Sequence, residues 1–186
     1  LGFTAKRAMR TAQQLYEGID IGGGAVGLIT YMRTDSLRIS EVAIKSSREF
    51  ITKNYGKEYL PSSAQSYSTD KKIQDGHEAI RPIDVDIKPE DISRYLGPDA
   101  AKLYDLIWKR FVACQMKPAQ YAQRQITITG GKFVFKTTGS TMLFDGFLKA
   151  YGDNEKDTLL PKVNVGDFLT YETVIAKETI SVSGIP

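Results

Sequence analysis

The apolar residues of this chain change period at Lys117 and Pro118, and that change limits what each half can become. Before it, apolar side chains recur at the three- and four-residue intervals of a helix. Thr4 to Tyr16 carries Ala5, Ala8, Met9, Ala12, Leu15 and Tyr16 on one stripe, with Thr4 placed to cap the start and Gly18 to stop the end. Glu41 to Tyr55 predicts a second helix, capped by Ser36 or Ser40 and ended by Gly56. Pro89 to Tyr95 opens a short one. The strongest runs from Asp99 to Met116, where Ala100, Leu103, Leu106, Ile107, Phe111 and Cys114 line one side with Trp108 beside them. After Pro118 the period is two. Gln123–Thr129, Lys132–Thr138 and Asp167–Val174 alternate β-branched or aromatic residues with polar ones, and Gly130 with Gly131 reads as a hairpin turn. Thr141 to Tyr151 is apolar and turns at Gly146, and Lys149 to Pro161 is a charged connector. The expectation is an α+β chain with a helical domain over residues 1–117 and a partial β domain over 118–186.

Composition narrows the function classes mainly by exclusion. One cysteine, Cys114, cannot form an internal disulfide, and with one histidine no transition-metal cluster can be built from the usual soft ligands. Cys114 falls on the apolar side of its helix and is expected to be a buried structural thiol. No apolar run approaches the roughly 20 residues of a membrane span, and no basic, apolar leader opens the sequence, so the cytoplasm is the expected compartment. A net charge of +3 does not by itself demonstrate nucleic-acid binding. Lys6, Arg7, Arg10, Arg33, Arg38, Lys45 and Arg48 bias the first fifty residues toward basic, but solvated helix faces account for most of them. The glycines at 22, 23, 24 and 27 lack the lysine and hydroxyl of a phosphate loop and read as a flexible turn. Lys57 to Asp75 is polar, without period, and reads as a surface loop.

Chemistry concentrates in Gly27 to Ser40, GLITYMRTDSLRIS. In extended backbone Tyr31, Arg33 and Asp35 project to one side while Met32 and Thr34 point to the other. A phenol with an intrinsic pKa of about 10 is a weak nucleophile, and a neighbouring cation or metal is needed to stabilise its oxyanion. Arg33 can serve as that cation, and its planar fork can hold two oxygens of a phosphodiester. The bland alternatives are a core tyrosine, one of ten in the chain, and a surface ion pair for Arg33. Further along, His77 to Arg81 can form a helical turn with His77 and Arg81 on one face, and Pro82 restricts Arg81 toward extended geometry.

Two of these segments together carry a resemblance. Ile29 to Ser36, ITYMRTDS, resembles the active-site tyrosine motif of the type IA DNA topoisomerases, and His77 to Pro82, HEAIRP, is similar to a second signature of that family at a compatible distance. Met32, with Glu78 and Arg81, is more like bacterial topoisomerase I than topoisomerase III, and the pattern does not separate the chain from reverse gyrase. Ile83 stands where the family usually has threonine, which puts in doubt a hydroxyl role there. The resemblance implies a central fragment with a catabolite-activator-like helical domain bearing the tyrosine, followed by part of a β arch, or gate, whose other strands lie elsewhere. Unpaired edges would then favour non-native dimerisation of the fragment. It implies Tyr31 and Arg33 as catalytic residues, with His77, Asp35, Arg81 and Glu78 in supporting or DNA-binding roles. It implies single-stranded or negatively supercoiled DNA as substrate, a transient 5′-phosphotyrosine link, strand passage, and religation without ATP, in a bacterial, nucleoid-associated protein. Mg²⁺ would be held by a separate Toprim domain. No such metal motif occurs here, since Asp84 and Asp86 lack its context, so the fragment alone is expected to be inactive. The competing reading is a noncatalytic single-stranded DNA-binding module in which Tyr31 stacks on bases.

Overall fold

A computed structural model of the protein describes residues 1–67, 77–152 and 157–170. Helix α1, Ala5–Glu17, starts where Thr4 Oγ1 accepts the Arg7 N–H and ends at Gly18. A short hairpin follows, β1 Ile19–Asp20 against β2 Ala25–Val26, its glycine turn tied down because Asp20 accepts the N–H groups of Gly22 and Gly24. Helix α2, Glu41–Asn54, is capped by Ser40, whose hydroxyl accepts the Ala43 N–H. The short α3, Pro89–Ile92, passes into a single 3₁₀ turn over Ser93–Tyr95, and α4 runs from Pro98 to Ala113. Among the described residues the β portion is a long antiparallel hairpin, β3 Gln120–Gly130 with β4 Phe133–Phe144, followed by the short helix α5, Leu148–Tyr151, and by Thr158, which pairs with Ser140 of β4. The architecture is α+β, as the change of period leads one to expect.

The core lies between the helices and the segments flanking the tyrosine. Leu15, Leu28, Ile29, Ile51, Tyr104 and Val112 are sealed from solvent, and Trp108 meets Phe50 edge-on with ring centroids 5.5 Å apart. Tyr104 and Trp108 are polar at one end, and each finds a carbonyl: the Tyr104 hydroxyl donates to Ile87 O at 2.7 Å and the indole N–H to Val85 O at 2.9 Å. Burial pushes the Tyr104 phenol well above its ordinary pKa. These bonds tie α4 to the chain that follows the HEAIRP block.

Several sequence expectations shift. On α4 the buried side is Ala100, Tyr104, Trp108, Phe111, Val112 and Ala113, while Leu106 is exposed and Leu103 and Ile107 are only partly covered. Leu103 and Ile107 still pack against the core, while Tyr104, with its hydroxyl satisfied, takes an inner position and Leu106 faces out. On α1 only Thr11, Ala12 and Leu15 are buried, and Met9 and Tyr16 face outward. The hairpin loop is Gly131–Lys132, one residue later than the Gly130–Gly131 reading. Residues 167–170 form no strand, and residues 171–174 of the expected Asp167–Val174 strand lie outside the described residues, as do residues 68–75 of the expected surface loop. Cys114 is largely covered, its thiol donating to Phe111 O, and burial raises its pKa.

The hairpin exposes Phe133, Val134, Phe135 and Leu143. Its base is held firmly. The Lys117 N–H donates to Tyr59 O, the Phe147 N–H to Lys117 O, and the Tyr59 hydroxyl to Asp145, at 2.8, 2.9 and 2.8 Å. Gly146 makes this closure possible, because a Cβ there would lie 2.6 Å from backbone atoms of Lys117, Pro118 and Ala119. No described helix is long and apolar enough to cross a membrane.

Candidate active site

The tyrosine segment is set by what lies before and beside it. Leaving β2, the chain doubles back along the end of α1, where the Leu28 N–H donates to Leu15 O at 2.7 Å. Gly27 permits that approach: a Cβ would sit 2.9 Å from Tyr16 O. Leu28 and Ile29 are then buried, and the HEAIRP block runs antiparallel alongside them. Ile29 lies opposite Pro82, the Ile83 N–H donates to Leu28 O at 3.0 Å, and the Thr30 N–H donates to Arg81 O at 2.9 Å. The two motifs, far apart in sequence, are hydrogen-bonded side by side.

This pairing overturns the helical turn expected over His77–Arg81. The block is irregular and then extended, with its carbonyls and N–H groups committed to the tyrosine segment rather than to each other. His77 and Arg81 consequently face different surroundings. The His77 ring lies 6.1 Å from that of Tyr31, whereas the Arg81 guanidinium turns onto Glu78.

Tyr31 emerges at the end of the paired segment, 40% exposed, with two other rings beside it. Tyr16 meets it edge-on with ring centroids 5.4 Å apart, and the His77 ring lies tilted at 6.1 Å. Beyond Tyr31 no strand forms. Instead the Thr34 hydroxyl accepts the Ser36 N–H and the Ser36 hydroxyl accepts the Arg38 N–H, local turns that satisfy the backbone without a ladder. Exposure nevertheless alternates. Tyr31, Arg33 and Asp35 face solvent, Met32 and Ser36 are buried, and Thr34 is half-buried. Met32 thereby anchors the segment in the core between two exposed functional groups. Among the described residues, none pairs with Arg33 or Asp35, and the cap of α2 is Ser40.

Glu78 joins the block to α2. One carboxylate oxygen accepts the Ser40 N–H at 2.8 Å and the other accepts two bonds from Arg81 at 2.7 and 3.1 Å, while Arg81 also donates to Pro82 O. Accepting the N–H of an N-cap residue is the task a glutamate three positions into the helix performs in a capping box. Ala43 occupies that position in α2, and Glu78 supplies the carboxylate from a distant part of the chain. Burial pushes the Glu78 carboxyl upward, but the Ser40 hydrogen bond and the Arg81 charge outweigh it and hold it below the ordinary glutamate range.

A carboxylate held low in the native state stabilises the fold fully above its unfolded pKa, and that contribution vanishes as pH falls through the lower native value. Glu78→Gln should therefore melt below wild type at neutral pH, with the gap closing in acid below about pH 4.3, the unfolded glutamate value. Thermal melts of both proteins at neutral and acid pH check this.

Among the described residues no group of three or more His, Cys, Asp or Glu side chains is placed to hold a metal ion. Asp84 and Asp86 are exposed, and the Asp84 carboxylate accepts the Asp86 N–H. Sequence reasoning missed two residues beside the tyrosine. Tyr16 falls on the apolar stripe of α1 in the sequence, and only the folded chain brings its ring against Tyr31. Thr30, directly before Tyr31, gave no periodic signal.

Comparison with known proteins agrees with the paired motifs. A family model described as DNA topoisomerase matches residues 1–181. The chain is 45% identical over 175 residues to DNA topoisomerase 1 of Campylobacter jejuni, covering 94% of this chain and 25% of that protein. It is 48% identical over 161 residues to DNA topoisomerase 1 of Fervidobacterium islandicum, covering 83% and 23% respectively. The structure of full-length topoisomerase I from Thermotoga maritima superposes with a TM-score of 0.76 at 41% identity, over 90% of this chain and 26% of that one. The chain thus spans about a quarter of the length of the relatives it matches. With a family model covering nearly all of it and bacterial relatives at this identity, the chain belongs to the DNA topoisomerase family, among the type IA enzymes.

Proposed function

We propose that this chain supplies the nucleophile of a type IA topoisomerase, with Tyr31 attacking a phosphodiester of single-stranded or negatively supercoiled DNA. The observation that carries this is the phenol's position: exposed, at the end of the segment where the ITYMRTDS and HEAIRP motifs are hydrogen-bonded together. The Tyr31 Oη–phosphorus bond forms as the bond from phosphorus to the 3′ oxygen breaks. The phenol gives up a proton and the released hydroxyl gains one. One ester replaces another, so the reverse attack reseals the strand without ATP, after a second strand has passed and negative supercoils have relaxed. Arg33, exposed and unpaired among the described residues, clamps the nonbridging oxygens as charge grows on them. His77 hydrogen-bonds a phosphate oxygen beside the phenol, Asp35 orients Arg33, and Glu78 with Arg81 supports the block from beneath.

The Mg²⁺ of this family does not fit the residues described here, and we assign it to a separate Toprim domain of the same polypeptide. The division near Pro118, with a tyrosine-bearing domain before it and part of the gate after it, belongs to the same reading, as does action on chromosomal DNA in the bacterial cytoplasm. The isolated 186-residue chain should accordingly fail to relax supercoiled plasmid with Mg²⁺ present, where the full-length protein succeeds. Robust relaxation by the isolated chain would refute the division of labour.

One observation favours a second reading. Tyr16 and His77 both lie against the exposed Tyr31 ring, an aromatic cluster that suits stacking of bases in a noncatalytic module. Trapping a denaturation-resistant DNA adduct with the full-length protein, and comparing it with Tyr31→Phe, separates the two.

A further inference from the structure

We infer that Thr30 is a positioning residue for the Tyr31 phenol, its hydroxyl taking the place of its own carbonyl in the ladder so that the chain can turn outward at Tyr31. This rests on the reading of Tyr31 as nucleophile. In an antiparallel pair, residues on either side of a non-hydrogen-bonded pair exchange both N–H···O bonds. Around Ile29 and Pro82, the partners Thr30 and Arg81 should do so. Half of that exchange is present, the Thr30 N–H donating to Arg81 O at 2.9 Å. The return bond goes elsewhere: the Arg81 N–H donates to Thr30 Oγ1 at 3.0 Å, and that hydroxyl in turn donates to Ala79 O at 2.8 Å.

Thr30 is half-buried, and its hydroxyl both accepts and donates within the HEAIRP block. The peptide that joins it to Tyr31 is thereby relieved of facing Arg81. Without the hydroxyl, the Arg81 N–H is left without an acceptor in a partly covered site, and its nearest remedy is the Thr30 carbonyl that a regular ladder would use. Rotating that carbonyl inward rotates the Tyr31 N–H with it, since both belong to one planar peptide. The ring then leaves its place beside Tyr16 and His77. Thr30 need touch neither DNA nor the reacting atoms.

The test uses the full-length protein with three variants and single-stranded DNA at saturating concentration. Thr30→Val keeps the shape and removes the hydroxyl, Thr30→Ser keeps the hydroxyl, and Tyr31→Phe removes the nucleophile. Misplacement of a reacting group by about 1 Å costs up to roughly a hundredfold in rate, so Thr30→Val should form adduct about tenfold to a hundredfold more slowly. Its affinity for uncleaved DNA should be unchanged, and Thr30→Ser should recover the wild-type rate. Thr30→Val cleaving at the wild-type rate, losing affinity in step with rate, or matched in slowness by Thr30→Ser overturns the inference. Should Thr30→Val fail to fold, the Thr30→Ser rate alone decides: wild-type speed supports the hydroxyl, slowness refutes it. An adduct that persists in Tyr31→Phe sinks the nucleophile assignment instead, a result distinct from any of these.

Discussion

Tyr31→Phe in the full-length protein should abolish the denaturation-resistant DNA adduct while leaving affinity for single-stranded DNA close to wild type. The substitution removes one oxygen and keeps the ring. Both ring neighbours remain, Tyr16 edge-on at 5.4 Å and His77 at 6.1 Å, and the segment stays anchored by buried Met32 and Ile29. An exposed hydroxyl contributes little to folding, so stability should hardly move. Phenylalanine supplies no oxygen to take its place, and Tyr16 belongs to a different element, α1. Quantifying adduct on a labelled oligonucleotide alongside a noncovalent binding isotherm reads both effects. If binding falls as far as cleavage, the aromatic cluster is a base-stacking platform and the catalytic reading loses.

The largest stability effect should come from Trp108→Ala, at about 3–5 kcal/mol. Trp108 is 4% exposed, packs against Phe50 on α2, and donates its indole N–H to Val85 O. Truncation opens a cavity between α4 and α2 and leaves the Val85 carbonyl without its donor, so two costs combine. For a chain of this size the melting temperature should fall on the order of 10 °C. Leu106→Ala on the same helix should cost far less, because Leu106 is 38% exposed. Equal losses for the two substitutions would mean that the buried face of α4 is wrongly assigned.

That comparison marks where sequence reasoning reached its limit. Caps and stops were legible because they depend on local chemistry: Thr4 and Ser40 at the starts, Gly18 and Gly56 near the ends. The alternating exposure of Tyr31, Arg33 and Asp35 was also legible, although it arises from hydroxyl-bonded turns rather than from a strand. The face of α4 was legible only in part: Ala100, Phe111 and the neighbouring Trp108 are buried as expected, but Leu106 is exposed and Tyr104 takes an inner position. Periodicity ranks leucine above tyrosine and tryptophan, but the Ile87 and Val85 carbonyls that make Tyr104 and Trp108 suitable core residues come from another part of the chain. The HEAIRP block failed for the same reason. A four-residue spacing suggests a helical turn, yet pairing with Leu28–Thr30 claims its backbone first. At the candidate site, chemistry-bearing residue types stood out in sequence, whereas Tyr16 and Thr30 matter through contacts that only tertiary structure creates.

The pinned base of the β3–β4 hairpin has a mechanical consequence. An 11-residue strand reaches roughly 35 Å from base to tip at the usual rise per residue. Because Tyr59, Lys117, Asp145 and Gly146 hold its two ends together, a load applied near Gly131 reaches the rest of the chain through these contacts. The first of them is Tyr59, in the turn that follows α2, so the projection and the second helix meet at one tyrosine.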